Sequence, residues 1–213
     1  MVIFYRLESP QRESLGPSTM NHGVLLFDER KAAQAAAYLL LRSGGTLDVI
    51  KLVKLLYLAE RLHYQRYGEP LTGDRLVSMP NGPVLSLILD HVNGGLRSRP
   101  GGWQSWIAAR EGNMVALRET ERKHITEDDL DMLSDSDVEA LGEIWENFGH
   151  WDKWRIVDFT HEGGCPEWHD PCGSSVPIRR VDLFRALGFD EEQTRELIQR
   201  LREHESIAQA MSA

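Results

Sequence analysis

Two histidines and two cysteines lie close together in the sequence, and their types could do chemistry. They are arranged H-x3-C-x3-H-x2-C, as His161, Cys165, His169 and Cys172. Imidazole and thiolate are ligands that tetrahedral zinc prefers, so this group is a candidate zinc site. A cysteine with a nearby histidine is also a candidate nucleophile with its base. Either chemistry would suit a small hydrolase built on residues 161–172.

Other features of the same segment favour a binding protein over an enzyme. The spacing matches no standard zinc pattern, and two glycines and two prolines predict a loop that need not bring the four side chains together. No oxyanion motif or third orienting residue accompanies the cysteines, and the MPNGPV stretch lacks the lysine of a phosphate-binding loop. We therefore expect no catalytic residue, no bound metal and no cofactor.

A loop rich in proline and glycine is the second candidate site. It runs over residues 69–84, with three prolines and two glycines in sixteen residues. A loop that is so constrained loses little entropy when it binds a partner. Its polar and soft apolar side chains, Asp74, Arg75, Met79 and Asn81, are therefore predicted to form a preshaped rim for protein recognition.

Negative charge is concentrated in one segment. The chain of 213 residues has a net charge of −9, and residues 119–143 hold ten acidic and two basic residues, which gives 2 − 10 = −8. Such a run is commonly a hydrated surface, but it can also dock a basic partner. The side chains expected to do so are Glu127, Asp128, Asp129 and Asp131.

The charge pattern argues against nucleic acid as the partner. Non-specific binding of nucleic acid needs cations that neutralise phosphates, which a chain of net charge −9 does not favour. A helix-turn-helix over residues 181–202 is a further alternative, but residues 179–205 contain six arginines and seven acidic residues. A recognition helix needs net positive charge, so we expect no direct binding to DNA.

The whole-chain composition is that of an ordinary globular protein. It is 41% hydrophobic and 27% charged, and it shows neither a long apolar run nor a secretory pattern. We therefore expect a cytoplasmic protein that does not enter a membrane, with its two cysteines as free thiols. The expected organisation is an N-terminal extension over residues 1–19 and a single domain over residues 20–213, which ends in a helical pair at 179–208.

Hydrophobic periodicity predicts a mainly α fold of about seven helices with a small β-hairpin. The central helix spans residues 47–63, with Thr46 as its cap, Lys51 and Lys54 pointing away from the buried face, and Gly68 at its end. A helix over residues 28–41 precedes it, capped by Asp28. The remaining predicted elements are a helix from Pro83 to His91, a hairpin of 103–107 with 113–117, helices at 134–147 and 151–161, and a pair within 181–207 that is broken at Gly188. Trp151, Trp154 and Val157 are expected to point inward.

Four segments of the sequence are similar to those of one family. They are KLVKLLYLAE (51–60), HYQRYGEPLTGDRLVSMPNGPV (63–84), LSDSDVEAL (133–141) and FTHEGGCPEW (159–168). Together they resemble the Panacea domain family, the SocA-like antitoxins often found beside small toxin genes in bacteria and phages. The resemblance spans roughly residues 27–169. It includes His161, Pro166 and Trp168 but neither cysteine.

The resemblance implies a non-enzymatic antitoxin that binds a cognate protein toxin and neutralises it directly. Within the same resemblance, the alternative is an adaptor that delivers the toxin to a protease. From another class, the alternative is the small metal-dependent hydrolase that uses residues 161–172. Association with a second copy of the chain stays open.

Overall fold

The computed structural model describes residues 27–118 and 125–212, so the predicted extension at 1–19 lies outside the described residues. In these ranges the chain forms eight α-helices and a few short strands, which confirms a mainly α fold with a minor sheet. The helices are α1 (Glu29–Arg42), α2 (Val49–Tyr67), α3 (Ser86–Val92), α4 (Trp103–Trp106), α5 (Asp135–Phe148), α6 (Lys153–His161), α7 (Arg180–Ala186) and α8 (Glu191–Ser212). The strands are β1 (Thr46–Asp48), β2 (Leu76–Met79), β3 (Gly82–Leu85), β4 (Met114–Ala116) and β5 (Val176–Pro177).

Helix α2 is the centre of the fold. Every residue from 52 to 60 is buried, whichever side of the helix it lies on. Helices α1, α5, α6 and α7 and strand β3 all pack against it. A helix that is covered all round belongs to the core, and the prediction of a central helix is confirmed.

The ends of the first two helices follow their capping residues. The Asp28 carboxylate accepts hydrogen bonds from the backbone N–H groups of Arg30 and Lys31, as predicted for an N-cap. Gly68 ends α2 in the left-handed conformation, at a φ of 66°. The prediction of Thr46 as the cap of α2 is wrong. Thr46 belongs to strand β1, and Asp48 caps the helix through the N–H of Ile50.

Strands β2 and β3 form an antiparallel hairpin, to which β5 adds as a third strand beside β2. The prediction that a helix begins at Pro83 is wrong, because Pro83 lies in β3 opposite Ser78. Helix α3 begins three residues later, at Ser86. A proline can start a helix, but here the turn at Gly82 sends the chain back along β2 instead.

The predicted hairpin of residues 103–107 with 113–117 is wrong in its main pairing. Residues Trp103–Trp106 form the single turn α4, and β4 pairs with the distant strand β1. The predicted local pairing is present in part, because Ile107 forms a bridge with Leu117. The Ala108 N–H donates to the Ala116 carbonyl, and Glu111 forms a bridge with Met114, both beyond the predicted first strand. The strand partner of β4 is set by tertiary contacts that the local pattern does not contain.

The helices of the second half lie close to their predicted positions. Ser134 caps α5 in a capping box with Asp137, and Asp190 and Gln193 exchange the matching hydrogen bonds before α8. The prediction that Trp154 points inward is wrong, because Trp154 is 55% exposed. No helix among the described residues is long and apolar enough to cross a membrane.

Candidate functional site

The tip of the β2–β3 hairpin, residues 79–82, is the exposed part of the predicted recognition loop. Pro80 and Asn81 are exposed there, and Met79 is partly buried. Arg75, which precedes β2, is exposed as well. The structure therefore places three of the four predicted rim side chains, those of Arg75, Met79 and Asn81, where a partner could reach at least part of each.

Asp74, the fourth predicted rim residue, lies inside the protein. It is 2% exposed, and its carboxylate accepts hydrogen bonds from the N–H groups of Arg75, Leu87 and Ile88. Burial raises the pKa of Asp74 to about 6, although these hydrogen bonds favour the carboxylate. Asp74 therefore ties the first turn of α3 to the start of β2.

Two side chains from other elements donate hydrogen bonds to backbone carbonyl groups at the two ends of the hairpin tip. The Lys54 ammonium of α2 donates a hydrogen bond to the Pro83 carbonyl at 2.7 Å. The Trp168 indole N–H donates to the Met79 carbonyl at 3.0 Å, and its ring stacks on His161 with centroids 4.2 Å apart. Both ends of the tip are thus fixed from beneath, which preorganises its exposed face.

Gly82 marks the closest approach between the tip and this support. Its φ is 93°, a conformation that side chains other than glycine rarely adopt. A Cβ atom there would lie 2.6 Å from both the Lys54 Nζ and the Thr160 Oγ1. Glycine is therefore required at this position for its backbone conformation and also because the two polar atoms leave no space for a Cβ atom.

Lys54 and Cys165 share a buried environment under the hairpin. Lys54 is 1% exposed, and burial lowers its pKa to about 7, with an opposing effect of Cys165. Burial raises the pKa of the Cys165 thiol to about 12. A cysteine acts as a nucleophile through its thiolate, so this shift is the opposite of what the hydrolase alternative needs.

Glu167 fastens the segment that carries Trp168 to the central helix. Its Oε1 accepts hydrogen bonds from the Tyr57 hydroxyl at 2.7 Å and from the Arg61 Nε at 3.0 Å. Both donors lie on α2, more than 100 residues earlier in the sequence. Burial, followed by the charge of Glu167, raises the pKa of Tyr57, so its hydroxyl stays a donor.

A second buried carboxylate, that of Glu60, holds the start of the loop. It accepts hydrogen bonds from the N–H and hydroxyl of Thr72 and from the N–H of Gly73. Burial raises the pKa of Glu60 to about 7 in spite of these bonds. The loop from Thr72 to the hairpin tip is thus fixed at both ends by charged side chains of α2.

The four candidate zinc ligands do not converge. His161 stacks on Trp168, Cys165 is buried, and Cys172 is exposed. His169 is exposed too, and its backbone N–H donates a hydrogen bond to the Ser78 hydroxyl. Within residues 27–118 and 125–212, no three side chains of His, Cys, Asp or Glu lie close enough to hold a metal ion. The geometry therefore gives the zinc and hydrolase alternatives no support.

The predicted acidic docking residues all lie on the surface. Glu127, Asp128 and Asp129 form a single turn of 3-10 helix, and Asp131 follows it. The Asp131 carboxylate accepts a hydrogen bond from the Gln34 side chain of α1 at 2.7 Å. Residues 119–124 of the acidic segment lie outside the described residues.

The sequence did not reveal the buried charged residues, on α2 and in the 165–168 segment, that support the hairpin. It assigned Lys54 to the exposed side and gave no role to Glu60 or Glu167. The available signal was the position of Lys54 and Glu60 within KLVKLLYLAE, where apolar residues surround them on every side of the helix. In a helix that is buried all round, a charged residue must have an internal partner.

The model for the family described as antitoxin SocA-like, Panacea domain, matches residues 52–169, which is more than half of the chain. No curated protein and no solved structure gives a match. The matched region contains the hairpin and each of the residues that fix it from α2, α6 and the 165–168 segment. It ends before α7 and α8. The chain belongs to the SocA-like antitoxin family with the Panacea domain.

Proposed function

We propose that this protein is an antitoxin that silences a protein toxin by binding it directly through the exposed face of the β2–β3 hairpin. The observation that carries the proposal is the coincidence of the family match with the hairpin and its supports. Residues 52–169 include Lys54, Glu60, Glu167 and Trp168, which together fix the loop from inside.

The exposed side of the hairpin suits protein recognition. Arg75 and Asn81 offer hydrogen-bond donors and acceptors, and Pro80 offers a rigid apolar surface. Because the carbonyl groups of Met79 and Pro83 are held by internal donors, little backbone freedom is lost on binding. The proposed contact residues are therefore Arg75, Met79 and Asn81, with Asp74 as an internal support.

The acidic surface contributes to the same proposal by attracting the toxin. Glu127, Asp128, Asp129 and Asp131 are all exposed, and together they bring four negative charges close together. A negative field of this kind raises the rate at which a basic partner arrives. It needs no contact in the final complex, so it is a separate element of the proposal.

Expression of the adjacent reading frame, alone and with this chain, tests the proposal in cells. A short gene product that stops growth alone and is harmless with this chain would be the toxin. The variant Arg75→Glu/Asn81→Arg should lose this protection and bind the purified toxin at least about tenfold more weakly, with its thermal stability kept. Arg110→Glu is the matched control, because Arg110 is exposed and lies outside the hairpin. Full protection by the double variant would contradict the hairpin as the contact.

Purified components separate direct silencing from the two alternatives. Direct binding predicts that this chain abolishes toxin activity in a mixture without protease or metal. Toxin activity that falls only after a cellular protease is added would indicate the adaptor function. A covalently changed toxin, detected by mass spectrometry, would indicate an enzyme and overturn the proposal.

A further inference from the structure

Helices α7 and α8 enclose a groove of about 540 Å³ that lies outside the region matched by the family model. Its apolar lining comes from Val181 of α7 and Ile198 of α8. The volume falls within the range of ligand-binding clefts in proteins. The match ends at residue 169, before both helices.

The charge of the groove is opposite to that of the whole chain. Its lining contains Arg185, Arg195 and Arg202 and a single acidic residue, Glu191, which gives 3 − 1 = +2 in a chain of net charge −9. Arg185 pairs loosely with Glu191 at 3.8 Å. Arg195 and Arg202 are exposed, and neither makes an ion pair with any residue that the structure describes. Two guanidinium groups are thus available for an anionic partner.

We propose that the α7–α8 groove binds an acidic amphipathic peptide segment of a second protein. Carboxylates of the segment would pair with Arg195 and Arg202, since guanidinium groups form bidentate hydrogen bonds with carboxylates. An apolar side chain of the segment would lie on Val181 and Ile198.

The combination of charge and apolar lining favours a peptide over nucleic acid. A nucleic-acid site would present a long basic surface with aromatic side chains for stacking, and the lining of this groove contains no aromatic residue. The overall charge of −9 would also repel a long polyanion, whereas a short acidic segment feels mainly the local positive charge.

Fluorescence anisotropy with a labelled peptide of leucine and glutamate at helical spacing tests this site on the full-length chain. The peptide should bind, and Arg195→Glu/Arg202→Glu should weaken binding by about tenfold or more. The milder pair Arg195→Gln/Arg202→Gln should give a smaller loss in the same direction. Arg110→Glu is again the control, since Arg110 is an exposed arginine far from α7 and α8 in sequence.

Peptide binding that is equal in all arginine variants, or absent, would overturn the proposal. So would tighter binding of single-stranded oligothymidine, or equal binding of a peptide with alanine in place of leucine.

Discussion

Gly82 is the residue at which the hairpin turn and its internal support meet. We predict that Gly82→Ala lowers the free energy of unfolding by about 2–4 kcal/mol, because it adds backbone strain and a clash with the Lys54 Nζ and Thr160 Oγ1. Urea denaturation measures the loss. Gly112→Ala is the matched control, since Gly112 has a φ of 58° with no atom within 4 Å of the added Cβ. An equal loss in both variants would show that only backbone strain matters.

Lys54 should make stability depend on pH above neutrality. Its folded pKa of about 7 lies below the ordinary value of 10.5, so between these values the unfolded chain binds more protons than the folded one. The contribution of Lys54 to stability therefore rises as the pH is raised from about 7 toward 10. Between pH 7 and about 8.5 this contribution is on the order of 1 kcal/mol.

The variant Lys54→Met isolates this contribution. It leaves the Pro83 carbonyl without its donor, so it is less stable at all pH values, but the rise between pH 7 and about 8.5 should be smaller than in the parent chain. Measurement stays below pH 9, because the raised pKa of Cys165 acts in the opposite direction at higher pH. Parallel pH profiles of the two chains would show that Lys54 stays fully protonated inside the protein.

Lys54 also shows why the site was only partly predictable from the sequence. Helical periodicity assigns a charged residue to the exposed side of a helix. Lys54 is buried instead, where the Pro83 carbonyl, 29 residues later, accepts its hydrogen bond. Glu167 is likewise buried, and its hydrogen-bond donors lie more than 100 residues earlier in the sequence. The loop itself was predictable, since its prolines and glycines are local, but its internal supports are not.

At the scale of the elements, Asp137 joins three helices. It lies in the first turn of α5, is fully buried, and contacts Lys31 of α1 at 2.8 Å and His63 of α2 at 3.2 Å. Burial alone would raise the pKa of Asp137, but hydrogen bonds from His63, Lys31 and Ser134 hold it well below its usual range. The ionised carboxylate is thus a junction between the helices.

We predict that Asp137→Ala lowers the free energy of unfolding by roughly 3 kcal/mol, because it removes one half of the capping box and leaves Lys31 and the buried His63 without their carboxylate partner. Asp135→Ala is the control on the same first turn, where an exposed carboxylate contributes about 0.5 kcal/mol. Thermal and urea unfolding measure both. The loss in Asp137→Ala should also shrink as the pH falls below about 4, because the folded pKa of Asp137 lies below the unfolded value and the parent chain loses this contribution there.

The elements themselves were predictable where their signals are local. Helices α1, α5, α7 and α8 follow apolar periodicity and visible caps such as Asp28 and Ser134. Errors arose where a distant segment decides the structure. Strand β4 pairs with the distant strand β1 in addition to its local bridges, and Pro83 lies in a strand because the turn before it folds the chain onto β2.

At the scale of the whole molecule, negative charge should govern the rate of partner binding. We predict that changing Glu127, Asp128, Asp129 and Asp131 to their amides slows association with the toxin by about tenfold at low salt and flattens its salt dependence. Dissociation should change little, because the field acts before contact. Stopped-flow or surface-based kinetics at several salt concentrations measure both rates.

A second set of four amides controls for net charge. Glu111, Glu162, Glu192 and Glu196 are exposed and lie outside the acidic segment. Their neutralisation should reduce the association rate far less, although the total charge changes by the same amount. Equal slowing by both sets would mean that net charge, and not the acidic segment, attracts the partner.

The support of the hairpin by a late segment has a consequence for protein synthesis. The Met79 carbonyl receives its hydrogen bond from Trp168, which the ribosome adds 89 residues later. At typical translation rates this takes roughly 5 to 18 seconds. During that time the nascent chain exposes a hairpin whose lasting support does not yet exist. If the hairpin binds a toxin as we propose, the supported binding surface exists only after most of the chain has been translated.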